Sequence, residues 1–208
     1  ESGARDEAHT KSMGVRVLAH TAGTSESLDG RLAELGCQRI SRWQLSCTYF
    51  LPSSQGGMGA PSLAELFMFQ SSERPQQQYV LSQGVLLEAG QDIAAVIEEM
   101  GTHAKKLKVI AEGSAHECGD FYVRVGKLFL NATLYGTVLE VEFRPCSLSS
   151  GATVPLLREF VDMCLPPIAR DFCSTEASFR EAHDLPKHFD MKHSACQFVS
   201  LMRSLKLI

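Results

Sequence analysis

Val138-Leu139-Glu140-Val141-Glu142-Phe143-Arg144 is the stretch on which the fold turns. Leu139, Val141 and Phe143 alternate with Glu140, Glu142 and Arg144, the period of two expected of a strand with unlike faces. Working outward, the strand is expected over Thr137 to Arg144, preceded by β-rich runs at Leu107 to Glu112 and Phe121 to Leu130. Glycines 113, 119, 126 and 136 punctuate them. Farther back, Glu65 to Gln70, Gln78 to Ser82 and Val85 to Glu88 are short strands, and Arg42 to Phe50 places Trp43, Leu45, Cys47 and Tyr49 on one face. Val15 to Ala19 is the first strand.

Helical spacing surrounds this block. Thr24-Ser25-Glu26 opens a helix whose Leu28, Leu32 and Leu35 lie on one side, and Gly36 supplies its left-handed stop. A second helix carries Ile93, Val96, Ile97 and Met100; a third starts near Thr153-Val154-Pro155 and stops before Pro166-Pro167. The last runs from about Met191 to Leu205. About eight strands clustered between three or four helices, without strand–helix alternation, predict an α+β protein with a large antiparallel sheet or barrel. The polar stretch 1–12 is set aside as a disordered arm or expression remnant, leaving one domain over 13–208.

Composition bounds the function. The chain has 208 residues, 44% hydrophobic, with a formal net charge of −4, which disfavours a whole-surface nucleic-acid binder. No apolar run is long enough for a membrane-spanning helix. Seven cysteines without Cys-x-x-Cys fit small buried hydrophobes in a reducing compartment, which outweighs the lone sequon Asn131-Ala132-Thr133.

Catalytic motifs are sparse. Glu140, Glu142 and Arg144 on one strand face resemble the Glu-x-Glu-x-Lys signature of triphosphate tunnel metalloenzymes, in which carboxylates hold a divalent cation and basic residues grip phosphate. The plainer reading is a solvated strand face, since Arg124 and Lys127 of the neighbouring run point to opposite sides. Cys173, His183, His188, His193 and Cys196 offer only one tight pair, His193-x-x-Cys196, where structural zinc needs two. Neither catalytic residues nor a cofactor or metal site is expected. Leu66-Phe67-Met68-Phe69 and Leu128-Phe129-Leu130 are apolar on both faces, so helices or another protein cover the second one. Phe67, Phe69 and Phe129 are the expected partner surface.

The order of segments is similar to the Mediator subunit 20 family. The likeness runs from Met13-Gly14-Val15 and Glu34-Leu35-Gly36 through the Trp43 to Phe50 strand and the Ser71 to Pro75 turn. It is densest over Gly113 to Cys146, in Cys118-Gly119-Asp120-Phe121-Tyr122-Val123-Arg124-Val125-Gly126 and Leu139 to Cys146, and loosest over Cys164 to Lys192. The resemblance implies a non-catalytic β-barrel flanked by helices, in the nucleus, pairing with Mediator subunit 18. It also implies tethering by subunit 8 within the head module and indirect coupling to RNA polymerase II. The alternative is a metal-dependent triphosphate tunnel enzyme using Glu140, Glu142 and Arg144.

Overall fold

The computed structural model describes residues 13–53, 63–148, 152–164, 170–173 and 177–208. Among the described residues nine strands form one antiparallel sheet: β1 Val15–Thr21, β2 Gln38–Pro52, β3 Leu66–Ser71, β4 Gln77–Ser82, β5 Val85–Gly90, β6 His103–Cys118, β7 Phe121–Leu130, β8 Thr133–Phe143 and β9 Arg170–Cys173. Five helices accompany them: α1 Ser25–Glu34, α2 Ile93–Met100, α3 Thr153–Cys164, α4 Ala177–Ala182 and α5 Met191–Ser204. The fold is α+β, as the sequence predicts. The strand order is β5-β4-β3-β2-β6-β7-β8-β1-β9, and β5 and β9 are its edges. The sheet is strongly curled without closing on itself.

The curl follows from two contacts. Five strand spacings separate β3 from β1, about 24 Å across a flat sheet. Yet Glu73, in the turn between β3 and β4, lies 2.6 Å from Arg16 of β1. Helix α5 packs on β3 and β4 and also on β1 and β9, bridging strands near both edges. Its Phe198, Val199, Leu201 and Met202 fill the concave side against Leu18, Trp43, Leu45, Phe69 and Leu128. Asp190 and His193 cap its N-terminus reciprocally.

The convex side carries a second apolar layer. Val15, Val17, Val123, Val125, Leu139 and Val141 meet Leu28 and Leu32 of α1 and Leu157, Phe160 and Val161 of α3. Two-sided cover explains why β7 is apolar on both faces.

Strands β2 and β6 run longer than their alternation predicts. Register shifts between Arg39 and Ser41 and between Tyr49 and Phe50 change the phase of pairing, so the period of two breaks where the ladder continues. β9 is four residues paired only to β1, too short to leave a pattern. The stretch 1–12 lies outside the described residues.

Candidate functional site

Each of β1, β7 and β8 contributes charge to the concave side. Arg16 lies between Val15 and Val17, and Arg124 between Val123 and Val125, so in both strands the flanking valines take the convex core and the arginine points inward. Glu140 and Glu142 point the same way from β8, and all four are at most 5% exposed. The register sets Arg16 opposite Glu142 and Arg124 opposite Glu140.

Arg16 reaches Glu73 at 2.6 Å, Glu140 at 3.0 Å and Glu142 at 2.9 Å. Arg124 reaches Glu73 at 2.5 Å, Glu140 at 3.1 Å and Glu142 at 2.7 Å. Glu142 also accepts from the Gly14 amide at 2.9 Å, and Gln197 of α5 donates to the Arg16 carbonyl at 3.0 Å. Residue 14 must be glycine, because a Cβ there would sit 2.2 Å from the Phe143 carbonyl oxygen.

Two guanidiniums face three carboxylates, an excess of one negative charge. Burial works against the charge on Arg16, but Glu140, Glu73 and Glu142 outweigh it and raise its pKa. Glu73 is held below the usual carboxylate range: burial opposes this, and Arg16 and Arg124 prevail. Glu140 goes the other way. Its burial, reinforced by Glu73 and Glu142, exceeds the pull of the arginines and pushes the carboxyl upward.

The network borders an open cavity of about 440 Å³, lined by Arg16, Glu73, Arg124 and Glu142 together with Tyr122 and Arg144 among others. Arg144 stacks over the Tyr122 ring, 4.4 Å from its centroid, and pairs with Glu117.

Several expectations change here. Glu140 and Glu142 are neither a solvated face nor a free ligand pair; they are buried and engaged by Arg16 and Arg124. Arg144, expected on the same strand face, lies in the turn just past the end of β8 and meets Glu117 and Tyr122. Lys127 points to the opposite side, as expected, and pairs with Glu26 of α1 at 2.6 Å. Phe67 and Phe69 are 2% and 1% exposed and belong to the core: Phe67 stacks on Tyr49, and Phe69 meets Phe198 edge-on. These two cannot form a partner surface, because α5 lies under their side of β3. Phe129 is half-buried beside a register shift in β7. His193 engages both ring nitrogens, with Asp190 and with the Pro186 carbonyl, and His188 meets Ser147. The Cys173 side chain lies outside the described residues.

Sequence reasoning missed Arg16 and Glu73. A single arginine between two valines in an otherwise apolar strand signals a buried charge in need of partners, and both Arg16 and Arg124 carry it. Glu73 leaves no such trace, since only the curl brings its turn to β1.

The arrangement pairs its charges internally, with one carboxylate in excess. Carboxylates bound to guanidiniums are poor metal ligands, and guanidiniums held by carboxylates are poor phosphate grips. Its physical effect is to fasten the β3–β4 turn across the sheet to β1 and β7.

Comparison with known proteins places this architecture. The family model described as TATA-binding related factor (TRF) of subunit 20 of Mediator complex matches residues 13–203. Mediator of RNA polymerase II transcription subunit 20b of Arabidopsis thaliana is 26% identical over 200 residues, covering 91% of this chain and 87% of the relative. Subunit 20 of Anopheles gambiae is 28% identical over 162 residues, covering 72% of each. The solved Schizosaccharomyces pombe Mediator head module contains a chain 10% identical, with a TM-score of 0.40, covering 77% of this chain and 97% of that one; so loose a likeness adds no weight. The family match by itself takes in Arg16, Glu73, Arg124, Glu140 and Glu142 and both apolar layers. The chain belongs to the Mediator subunit 20 family.

Proposed function

We propose that the chain is a non-catalytic subunit of the Mediator head module, acting in the nucleus. On this reading it pairs directly with subunit 18, is tethered by subunit 8, and helps couple regulators to RNA polymerase II initiation. It uses no cofactor, metal, membrane or direct nucleic-acid contact. The family match over residues 13–203 carries the reading. The ion network supports it: the acidic pair that would make a tunnel enzyme is bound to Arg16 and Arg124 and holds the sheet's curvature instead.

Surface chemistry also suits an assembly subunit. Val85 and Leu87 on edge strand β5, and Leu134 and Tyr135 near the β7–β8 turn, are large apolar side chains left exposed. Phe129, half-buried in β7, remains the residue proposed from the original aromatic set.

The test is affinity purification of the tagged full-length protein from nuclear extract of its own species, with mass spectrometry of what accompanies it. Head-module subunits in near-equal amounts are expected. Recovery of the chain without other Mediator subunits would overturn the reading.

A further inference from the structure

Three cysteines unused by the ion network meet on the convex side of the sheet. Helix α1 ends in a Schellman-type stop, with Gly36 at φ 78° and the Cys37 amide donating to the Leu32 carbonyl at 2.9 Å. That stop delivers Cys37 to the head of β2, where Gln38 pairs with Glu117 of β6. The ladder ends at that pair, and its register extended by one residue sets Cys37 opposite Cys118. Cys118 is fixed in turn as the last residue of β6, paired with Phe121 across a tight turn in which Gly119 has φ 57°. Both thiols are half-buried and pack against the convex core that contains Cys164. Arg31 of α1 donates to the Met163 carbonyl at 3.3 Å, which holds the end of α3 beside them.

We propose that Cys37 and Cys118 are a redox-responsive pair that closes to a cross-strand disulfide on meeting a disulfide-class oxidant such as oxidised glutathione, and reopens on reduction. Facing residues of an antiparallel pair have Cβ atoms about 4.5–5.5 Å apart, and a disulfide takes about 3.5–4.5 Å, so only a small approach at the strand ends is needed. In the first step the Cys118 thiolate attacks one sulfur of oxidised glutathione, forming a mixed disulfide and releasing one glutathione thiolate. The Cys37 thiolate then attacks the Cys118 sulfur and releases the second. The protein loses two electrons to the glutathione disulfide, and the two thiol protons end on the two glutathiones.

Burial first, then the neighbouring Cys118, pushes the Cys37 thiol up to about 12. Closure is therefore slow at neutral pH and quickens as pH rises. Cys164, 3% exposed and pushed up to about 12 chiefly by burial, stays a thiol. The bond would clamp the exit of α1 to the β6–β7 hairpin. That hairpin carries Glu117, which holds Arg144, and Asp120, whose carbonyl accepts from the Arg144 amide at 3.0 Å. Oxidation thus stiffens one rim of the cavity that the ion network borders.

The test incubates the purified full-length protein in glutathione buffers of graded oxidised-to-reduced ratio, followed by alkylation under denaturing conditions and non-reducing peptide mapping. The expected product is a single Cys37–Cys118 crosslink, removed by dithiothreitol, formed faster at pH 9 than at pH 7. Thermal unfolding should shift upward by roughly 5–10 °C, given the long loop the bond closes. Cys164→Ser should leave the crosslink intact, and Cys118→Ala should abolish it. If Cys37→Ser fails to fold by far-UV circular dichroism, the wild-type map and Cys118→Ala decide. Complete alkylation of both thiols at ratios that oxidise a reference dithiol would overturn the proposal, and so would a crosslink that involves Cys164.

Discussion

Replacing Arg124 by methionine keeps most of the side-chain volume but leaves Glu73, Glu140 and Glu142 gathered around Arg16 alone. Arg124 contacts all three carboxylates and is 3% exposed, so its loss leaves them sharing a single guanidinium. Breaking a buried ion pair by removing one partner costs about 3–5 kcal/mol. At about 2–4 °C per kcal/mol for a chain of this size, Tm should fall by about 6–20 °C. The assay is urea and thermal unfolding followed by far-UV circular dichroism at pH 7.5, for Arg124→Met and for Arg124→Met combined with Glu140→Leu. The double variant restores the wild-type charge balance and should recover more than half of the loss, a coupling that only interacting residues show. An Arg124→Met protein within about 0.5 kcal/mol of wild type would refute the claim that the network holds the curl. A double variant no better than the single one would mean that packing, not charge, was lost.

The other expectations are smaller and independent. Glu140 has a folded pKa above its unfolded value, so its contribution to stability is present below the unfolded value and lost as pH rises through the folded one; pH-dependent urea melts should therefore find Glu140→Gln gaining on wild type as pH rises above the ordinary carboxylate range. Gly14→Ala should cost about 1–3 kcal/mol in the same melts, because the new Cβ meets the Phe143 carbonyl. His116 is kept neutral by burial, so its share of stability is lost as pH falls below about 6.5, and His116→Gln should flatten the melting curve there. With magnesium or manganese the protein should not hydrolyse tripolyphosphate; turnover abolished by Glu142→Gln would restore the tunnel-enzyme reading.

The strands were legible where each face kept one environment. β7 was readable to the residue, and β8 by its alternation, because their pairing runs without a phase change over most of their length. Bulges hid the ends of β2 and β6, and β9 is too short to announce itself. Burial was harder to read than secondary structure. Glu140 and Glu142 have the pattern of a wet face, yet the curl places them inside, and nothing local to Val138–Arg144 distinguishes the two cases. Phe67 and Phe69 were misread for the converse reason: a run apolar on both faces says that both are covered, and α5, over a hundred residues later, supplies the cover on their side. The chemistry was legible in part, since Glu140, Glu142 and Arg124 could be listed from sequence, but their mutual pairing depends on Arg16 and Glu73 arriving from distant segments.

Co-expression with Mediator subunit 18 of the same species, followed by size-exclusion chromatography with light scattering, tests the functional account most directly. A stable one-to-one complex is predicted, with the isolated chain less soluble than the pair, and Phe129→Ser weakening the complex while leaving the far-UV spectrum unchanged. A well-behaved monomer that ignores subunit 18 at micromolar concentration would contradict it.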